Sequence, residues 1–422
     1  MAVCSLAFSA FGRSQARSLG FPDLPIAVIP HPFGPRTRLE ITQLAQDVVA
    51  DVARILCDAG TTGTAGQNDT ASNGRPQLIE APDDFDEINE FFRHRQWGDG
   101  LPLVPPTQER VTRMLRYTTR SPDEVVAAVA PGFGQATVEN IAINAVLAGC
   151  NPPLLPLLIA AVQAVSAQEF NLQSVQTTTN PATPWLIVNG PVARTLQINS
   201  GINCLGQGTW ANAVLGRALR LILQNIGGGL PEVMDRATHG QPGKYSFCCA
   251  ENEEGSPWEP LHVERGHAPE LSTVTAVAAA GTLNINTHAK DVTDLLRMIA
   301  DAMCYAASND YRAQGGGEPW IVLSPEHAEI LQQAGLSKAD VKARLWELSR
   351  MPAHLMAKKD LVRTQHNRRA ELGELSLDSR VPISASPELI GILVAGGPGG
   401  HSVYIPSYGN TRSVTRRVDT AR

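Results

Sequence analysis

Hydrophobic positions recur at helical spacing early in the chain, where Ile41, Leu44, Val48, Val49, Val52 and Ile55 fall on one face of a helix expected over Leu39–Leu56. Short apolar runs ahead of it predict strands at Val3–Phe8 and Pro25–Pro30, with a helix around Gly12–Leu19 between them. Two strands and two helices make half of an α/β layer, too little to close a core alone. Residues 1–57 are therefore expected to dock on the rest of the chain or to complete a sheet with a protein partner. From 58 to 80 the pattern dissolves into Gly, Thr, Ser, Asn and Ala, as in the run from Gly60 to Asp69, which reads as a flexible linker.

Beyond it, Phe85, Ile88 and Phe91-Phe92 predict a helix, followed by the Gly- and Pro-rich loop Trp97-Gly-Asp-Gly-Leu-Pro-Leu-Val-Pro-Pro106. Thr107 is placed to cap the next helix. Val125–Ala130 reads as a strand, with the alternative that Ser121-Pro-Asp-Glu124 is a capping box opening a helix. Thr137 is the expected N-cap of a helix over Val138–Ala148, with Gly149 at its C-cap. The longest apolar stretch, Leu154–Ala167, is 14 residues, too short to cross a bilayer, and reads as a buried helix.

Self-similarity organises the rest. Pro184-Trp185-Leu-Ile-Val188 with Ala193 and Leu196 matches Pro319-Trp320-Ile-Val-Leu323 with Ala328 and Leu331 at a constant offset of 135 residues. Each Pro-Trp strand follows an apolar helix. Further on, Gly240-Gln-Pro-Gly-Lys-Tyr-Ser-Phe247 matches Gly396-Gly-Pro-Gly-Gly-His-Ser-Val403 at four of eight positions. The expected fold is α/β, a partial N-terminal layer plus a body of two degenerate repeats, 81–265 and 266–422, related by a pseudo-twofold axis. Clefts between repeats favour ligands, so a site is expected at their seam, with the two Gly-x-Pro-Gly turns converging on it.

Composition narrows the partners. A net charge of −6, with no long run of Lys or Arg, gives no reason to expect nucleic acid or an anionic membrane. The seven cysteines are scattered and show no C-x-x-C spacing, unlike a secreted disulfide framework or a zinc site. The short apolar N-terminus lacks a preceding basic region, unlike a signal peptide. A reducing, cytoplasmic setting, a small-molecule substrate and a homo- or hetero-oligomer are expected.

Candidate chemistry concentrates in Tyr245 to Arg265, where five carboxylates, a His and an Arg fall within the last fifteen residues. In an extended segment His262 and Glu264, two residues apart, would share a face and with Glu251 or Glu253 could bind a divalent metal through mixed N and O ligands. The competing reading is a solvated acidic loop. Cys248 is a nucleophile if a neighbour lowers its pKa, or a small core residue if none does. Asp99, between Gly98 and Gly100, is either an acid/base carboxylate on a mobile loop or an ordinary Asp-Gly turn. The turn carrying Gly397, Gly399 and Gly400 follows an apolar strand and could bring backbone N–H groups to a phosphate or carboxylate, although it lacks the spacing of a P-loop. His401 and Lys244 hold near-corresponding places in the two copies and join the candidates. The segments around Asn199-Ser-Gly-Ile-Asn-Cys204 and Gly206-Gln-Gly208 read as a polar loop able to line a pocket.

The stretch Ser18-Leu-Gly-Phe-Pro-Asp-Leu-Pro-Ile-Ala-Val-Ile-Pro-His-Pro-Phe-Gly34 resembles the C-terminal end of the UGSC-type (seleno)proteins, a bacterial family of poorly defined function named for a selenocysteine- or cysteine-Gly-Ser-Cys motif. Trp97 to Pro106, Ala136-Thr-Val-Glu-Asn-Ile-Ala-Ile-Asn-Ala-Val146 and Cys249-Ala-Glu-Asn-Glu-Glu254 resemble an uncharacterised domain associated with that family. Cys-Gly-Ser-Cys occurs nowhere in this chain. The thiol- or selenol-linked redox function that the resemblance implies falls on no residue here.

The expectation is an enzyme acting on a small polar or anionic substrate by carboxylate/His acid–base or metal-assisted chemistry, of hydrolase or lyase type. The rival is a thiol-linked oxidoreductase component or non-catalytic subunit working with a separate Cys-Gly-Ser-Cys protein.

Overall fold

Alternation along two Pro-Trp strands decides the architecture. Trp185 and Ile187 point to one face and Leu186 and Val188 to the other, and Trp320, Val322, Ile321 and Leu323 divide in the same way. Both faces are apolar, so each strand must be covered on both sides. The computed structural model describes residues 1–18, 20–33, 36–58 and 76–419; most of the expected linker, at 59–75, lies outside the described residues.

In chain order the strands are β1 (Ala2–Ser5), β2 (Ile26–Ile29), β3 (Val125–Val129), β4 (Gly134–Thr137), β5 (Thr183–Asn189), β6 (Cys248–Ala250) and β7 (Thr273–Ala279). They continue with β8 (Leu283–Asn286), β9 (Trp320–Leu323), β10 (Met351–Pro352), β11 (Arg380–Val381), β12 (Gly391–Val394), β13 (His401–Ile405) and β14 (Val414–Arg417). One sheet has the order β6-β5-β7-β14, the other β12-β9-β13-β8. In both, the Pro-Trp strand runs parallel to one neighbour and antiparallel to the other, and the fourth strand is antiparallel to the third.

The fourth strands are exchanged. β8 follows β7 in the chain yet pairs with β13, and β14 follows β13 yet pairs with β7. Where the exchange occurs, Ala279 and Ser407 form an antiparallel bridge. Ala280 N donates to Pro406 O, and Tyr408 N to Ala278 O, both at 2.8 Å. A cut at 265/266 would run through the first sheet, because β7 and β14 both come after it.

The sheets face one another across a core that includes Trp185, Ile187, Cys249, Val277, Trp320, Val322, Leu393 and Ile405. The two Trp rings meet edge to face, centroids 5.8 Å apart. Helices Val138–Ala148, Leu155–Val165 and Trp210–Asn225 cover the outer face of the first sheet, and Val292–Met303, Pro325–Gln333 and Lys338–Leu348 that of the second. The result is four layers, helix, sheet, sheet, helix.

Local signals behave as their chemistry requires. Thr137 Oγ1 accepts from Asn140 N at 3.1 Å to open helix Val138–Ala148, and Gly149 closes it at φ 85°. Val125–Val129 forms a strand of the β3–β4 hairpin, and Glu124 pairs with Arg120 instead of capping a helix. The Gly-x-Pro-Gly turns hold different places: Gly240–Lys244 precedes β6, whereas Gly396–Gly400 joins β12 to β13. Their sequence match does not make them equivalent.

The N-terminal segment is a two-stranded parallel sheet, Ala2 to Ser5 against Ile26 to Ile29, with helices Ser9–Ser18 and Arg38–Asp58. Leu6–Phe8 turns into a 3-10 helix instead of continuing the strand. It is tied to the body through Gln15, whose Nε2 donates to Pro131 O at 2.6 Å and whose Oε1 accepts from Gln173 Nε2 at 2.8 Å. Among the described residues no single helix is long and apolar enough to cross a membrane; one bent pair, Pro152–Val165 with Gln168–Thr177, reaches that length but breaks by 69°, and its first helix is buried.

Candidate functional site

Helix Trp210–Asn225 is apolar on most of its surface, which makes its buried polar residues informative. Arg217, Arg220 and Gln224, spaced three and four apart, share one face. Arg217 takes the Asp99 carboxylate in a two-pronged bond, Nε to Oδ2 at 2.7 Å and Nη2 to Oδ1 at 2.9 Å. Gln224 Nε2 holds Gly98 O at 2.7 Å. The Trp97-to-Pro106 loop is thereby fixed as the wall of a cleft of about 1370 Å³, lined also by Arg220, Asp235, His239, Lys244 and Tyr245.

The cleft floor carries a buried positive charge whose hydrogen bonds, among the described residues, all go to neutral acceptors. Arg220 is only 8% exposed, and its guanidinium donates to Lys244 O at 2.9 Å, Gln176 Oε1 at 3.3 Å and Thr183 Oγ1 at 3.1 Å, all neutral. No carboxylate among the described residues bonds to it. Burial lowers its pKa, with Asp235 and Asp99 opposing through space. Beside it Gln176, also buried, has an Nε2 with no partner among the described residues, close enough to Gly229 that a Cβ there would come within 2.5 Å. Lys244 Nζ pairs with Asp235 Oδ2 at 2.5 Å. Burial lowers the Lys244 pKa despite that carboxylate, so its ammonium gives up a proton more readily than a surface lysine.

A second polar cluster lies where β5 and β6 end. Glu251 is 3% exposed; Oε2 accepts from Asn189 Nδ2 at 2.5 Å and Leu261 N at 2.7 Å. Burial, partly offset by Lys338 and these bonds, pushes its pKa up to about 7. Glu253 accepts from Gly190 N at 2.7 Å and Asn189 Nδ2 at 3.0 Å, and its Oε1 stands 3.7 Å from His262 Nδ1. Glu251 Oε1, Asn189 Oδ1 and His262 Nδ1 are buried without hydrogen-bond partners among the described residues. This cluster can hold a proton near neutrality.

Several expectations need correction. His262 and Glu264 lie in one helical turn, Leu261–Glu264, and not in an extended segment, so the shared-face argument fails. Glu264 is turned to Lys338, 2.9 Å away, and to Lys342; burial works against its ionisation, but these two ammonium groups outweigh it and keep its pKa below the usual range. Among the described residues no group of three His, Cys, Asp or Glu side chains is placed to hold a metal ion.

Cys248 faces the helix layer, and burial pushes its thiol up to about 12, which removes it as a nucleophile. Asp99 has both oxygens on Arg217 and acts as a clamp. His401 sits exposed at the start of β13, its Nδ1 3.2 Å from Asn284 Oδ1, and does not line the cleft that Lys244 lines. Gly397 and Gly400 are required by close packing, since a Cβ at the first would meet Ile202 and at the second His288 and Thr287 O. Lys244 lines the cleft, whereas Gly397, Gly399 and Gly400 are not among its lining residues. The seam between the sheets is filled by the two tryptophans, and the large cleft lies on the helical side of the first sheet.

Arg217, Arg220, Asp235 and Asn189 were not among the sequence candidates. The two arginines and Gln224, spaced three and four apart within an otherwise apolar helix, are a legible signal of a polar stripe; nothing in the sequence marks Asp235.

Residues 1–58 match the UGSC family. The match ends with helix Arg38–Asp58, and the four-layer body lies outside it. No curated protein matches the chain.

Proposed function

We propose that the chain is an enzyme acting on a small anionic substrate in the cleft walled by Asp99 and floored by Arg220. The observation that carries this reading is a buried guanidinium, bonded only to neutral acceptors among the described residues, at the base of an open cleft. Such a charge is costly to bury alone and is compensated by an incoming anion. Lys244 and Asp235 beside it form the acid–base pair: the lysine, eased toward deprotonation by burial, exchanges a proton with the bound substrate while Asp235 stabilises its charged form. No step of this reading needs a metal.

The test is calorimetric titration of the full chain with phosphate and with mono- and dicarboxylates. Binding of at least one of these, weakened about tenfold or more in Arg220→Gln with helix content unchanged, supports the reading. Equal binding to wild type and variant refutes it.

A second reading has its own support. Among the described residues the N-terminal parallel sheet has only two strands, and Met1, Val3 and Leu6 are exposed at 42%, 51% and 65%. Parallel strands are ordinarily covered and flanked by others. This segment would complete its sheet with a partner chain, and a protein bearing the Cys-Gly-Ser-Cys motif is the partner the UGSC match suggests. Coexpression with such a protein followed by size-exclusion chromatography tests this; separate elution of the two chains counts against it.

A further inference from the structure

A second, smaller pocket, of about 450 Å³, opens in the helical layer of the second sheet, where Trp346, Leu372 and Leu375 pack on the core beneath it. It shares no lining residue with the Arg220 cleft. The ribbon of β10 and β11 builds one wall. Pro352 pairs with Arg380 and Met351 with Val381, so Arg350, the neighbour of Met351, is carried alongside the strand that bears Arg380, and both arginines line the pocket.

The rest of the pocket is fixed without help from these two side chains. Trp346 Nε1 donates to Ser384 O at 3.0 Å, which holds the indole in place. Arg368, at the far end of helix Lys358–Leu372 and 1% exposed, grips the Glu371 carboxylate, Nε to Oε2 at 3.0 Å and Nη2 to Oε1 at 2.5 Å. Its Nη1 donates to Pro382 O at 2.6 Å. Glu371, the carboxylate in the lining, is thus committed to a third arginine.

Arg350 lies over the Trp346 ring, its guanidinium carbon 4.2 Å from the ring centre. That contact orients the fork but uses none of its N–H donors. Arg350 Nε is buried and has no hydrogen-bond partner among the described residues, an arrangement that is costly unless an acceptor arrives. Among the described residues neither Arg350 nor Arg380 forms an ion pair. The pocket therefore holds two guanidinium groups, and its own carboxylate serves neither.

We propose that this pocket is an oxyanion site, in which Arg350 and Arg380 together hold the phosphate group of a small phosphorylated ligand. Planar guanidinium forks match phosphate oxygens two at a time, and an anion between the two arginines offsets their mutual repulsion. At about 450 Å³ the pocket has the size of a small-molecule site and more room than the phosphate alone needs. Leu372, Leu375 and Pro382 give the remainder apolar walls, suited to a carbon portion of the ligand. The site stands apart from the Arg220 cleft and does not depend on the reading given for it.

The test is calorimetric titration of the full chain with inorganic phosphate and with phenyl phosphate, at constant ionic strength. Because the Arg220 cleft is also read as taking anions, the titrations are repeated on Arg220→Gln, Arg350→Gln and Arg380→Gln. The expected result is binding of at least one of the two ligands that survives in Arg220→Gln. It should be weakened about tenfold or more in Arg350→Gln and in Arg380→Gln, with helix content unchanged. No binding of either ligand up to about 10 mM overturns the proposal. So does binding that either substitution in the pocket leaves unchanged, or that Arg220→Gln alone abolishes. Arg380 is exposed, so its variant decides the matter by itself should Arg350→Gln not fold.

Discussion

Arg217 grips Asp99 with two parallel hydrogen bonds, 2.7 and 2.9 Å, across 118 residues of chain, and the pair is largely withdrawn from water. It anchors the wall of the cleft to the helix that also supplies the floor. Asp99→Asn leaves a largely buried guanidinium with half its partner gone, and a loss of about 2–4 kcal/mol is expected from breaking such a pair. Chemical denaturation measures it; a stability change below about 0.5 kcal/mol, the level of an ordinary surface substitution, would show that the clamp is idle.

Gly391 begins β12 directly against Trp320. A Cβ there would come within 2.2 to 2.5 Å of three indole carbons. Gly391→Ala therefore has to displace a ring that is wholly buried between the sheets, at about 1–3 kcal/mol for overpacking. The melting temperature should fall, whereas Gly335→Ala, where the added atom meets nothing within 4 Å but φ is 77°, should be penalised only by its backbone conformation.

Glu251 supplies a pH dependence with a definite sign. Its folded-state pKa, about 7, lies above the ordinary value of 4.5, so the native state holds this proton more tightly than the unfolded chain does. The stabilisation from this group is complete below about pH 4.5 and is lost as pH rises through about 7, amounting to about 3 kcal/mol. Asp310, raised by burial from 3.8 to about 6, acts in the same direction. Glu251→Gln should flatten the pH profile of unfolding without abolishing its slope; an unchanged profile would refute the assignment.

Cys248 should be inert. With its thiol pushed up to about 12 by burial, iodoacetamide at pH 8 should label exposed Cys57 in the folded protein and leave Cys248 unmodified until denaturant is added. Early labelling of Cys248 would contradict its placement in the helix layer.

The sequence by itself determined the local elements and the α/β class. Thr137, Gly149 and the two Pro-Trp strands carry their instructions in a few neighbouring residues, through a capping hydroxyl, a left-handed glycine and a two-residue alternation of apolar side chains. What it could not contain was convergence. Glu251, Glu253 and His262 are close in the chain and do share a cluster, but Glu264 turns away because one helical turn aims it at two lysines on another helix. Asp99 and Arg217 are far apart in sequence and meet, and the exchange of β8 and β14 sets two sheets against one another in a way that no local pattern records. Local propensity is written in consecutive residues, whereas the charge left over at Arg220 depends on which distant groups packing brings within a few ångströms, and only the tertiary structure decided that.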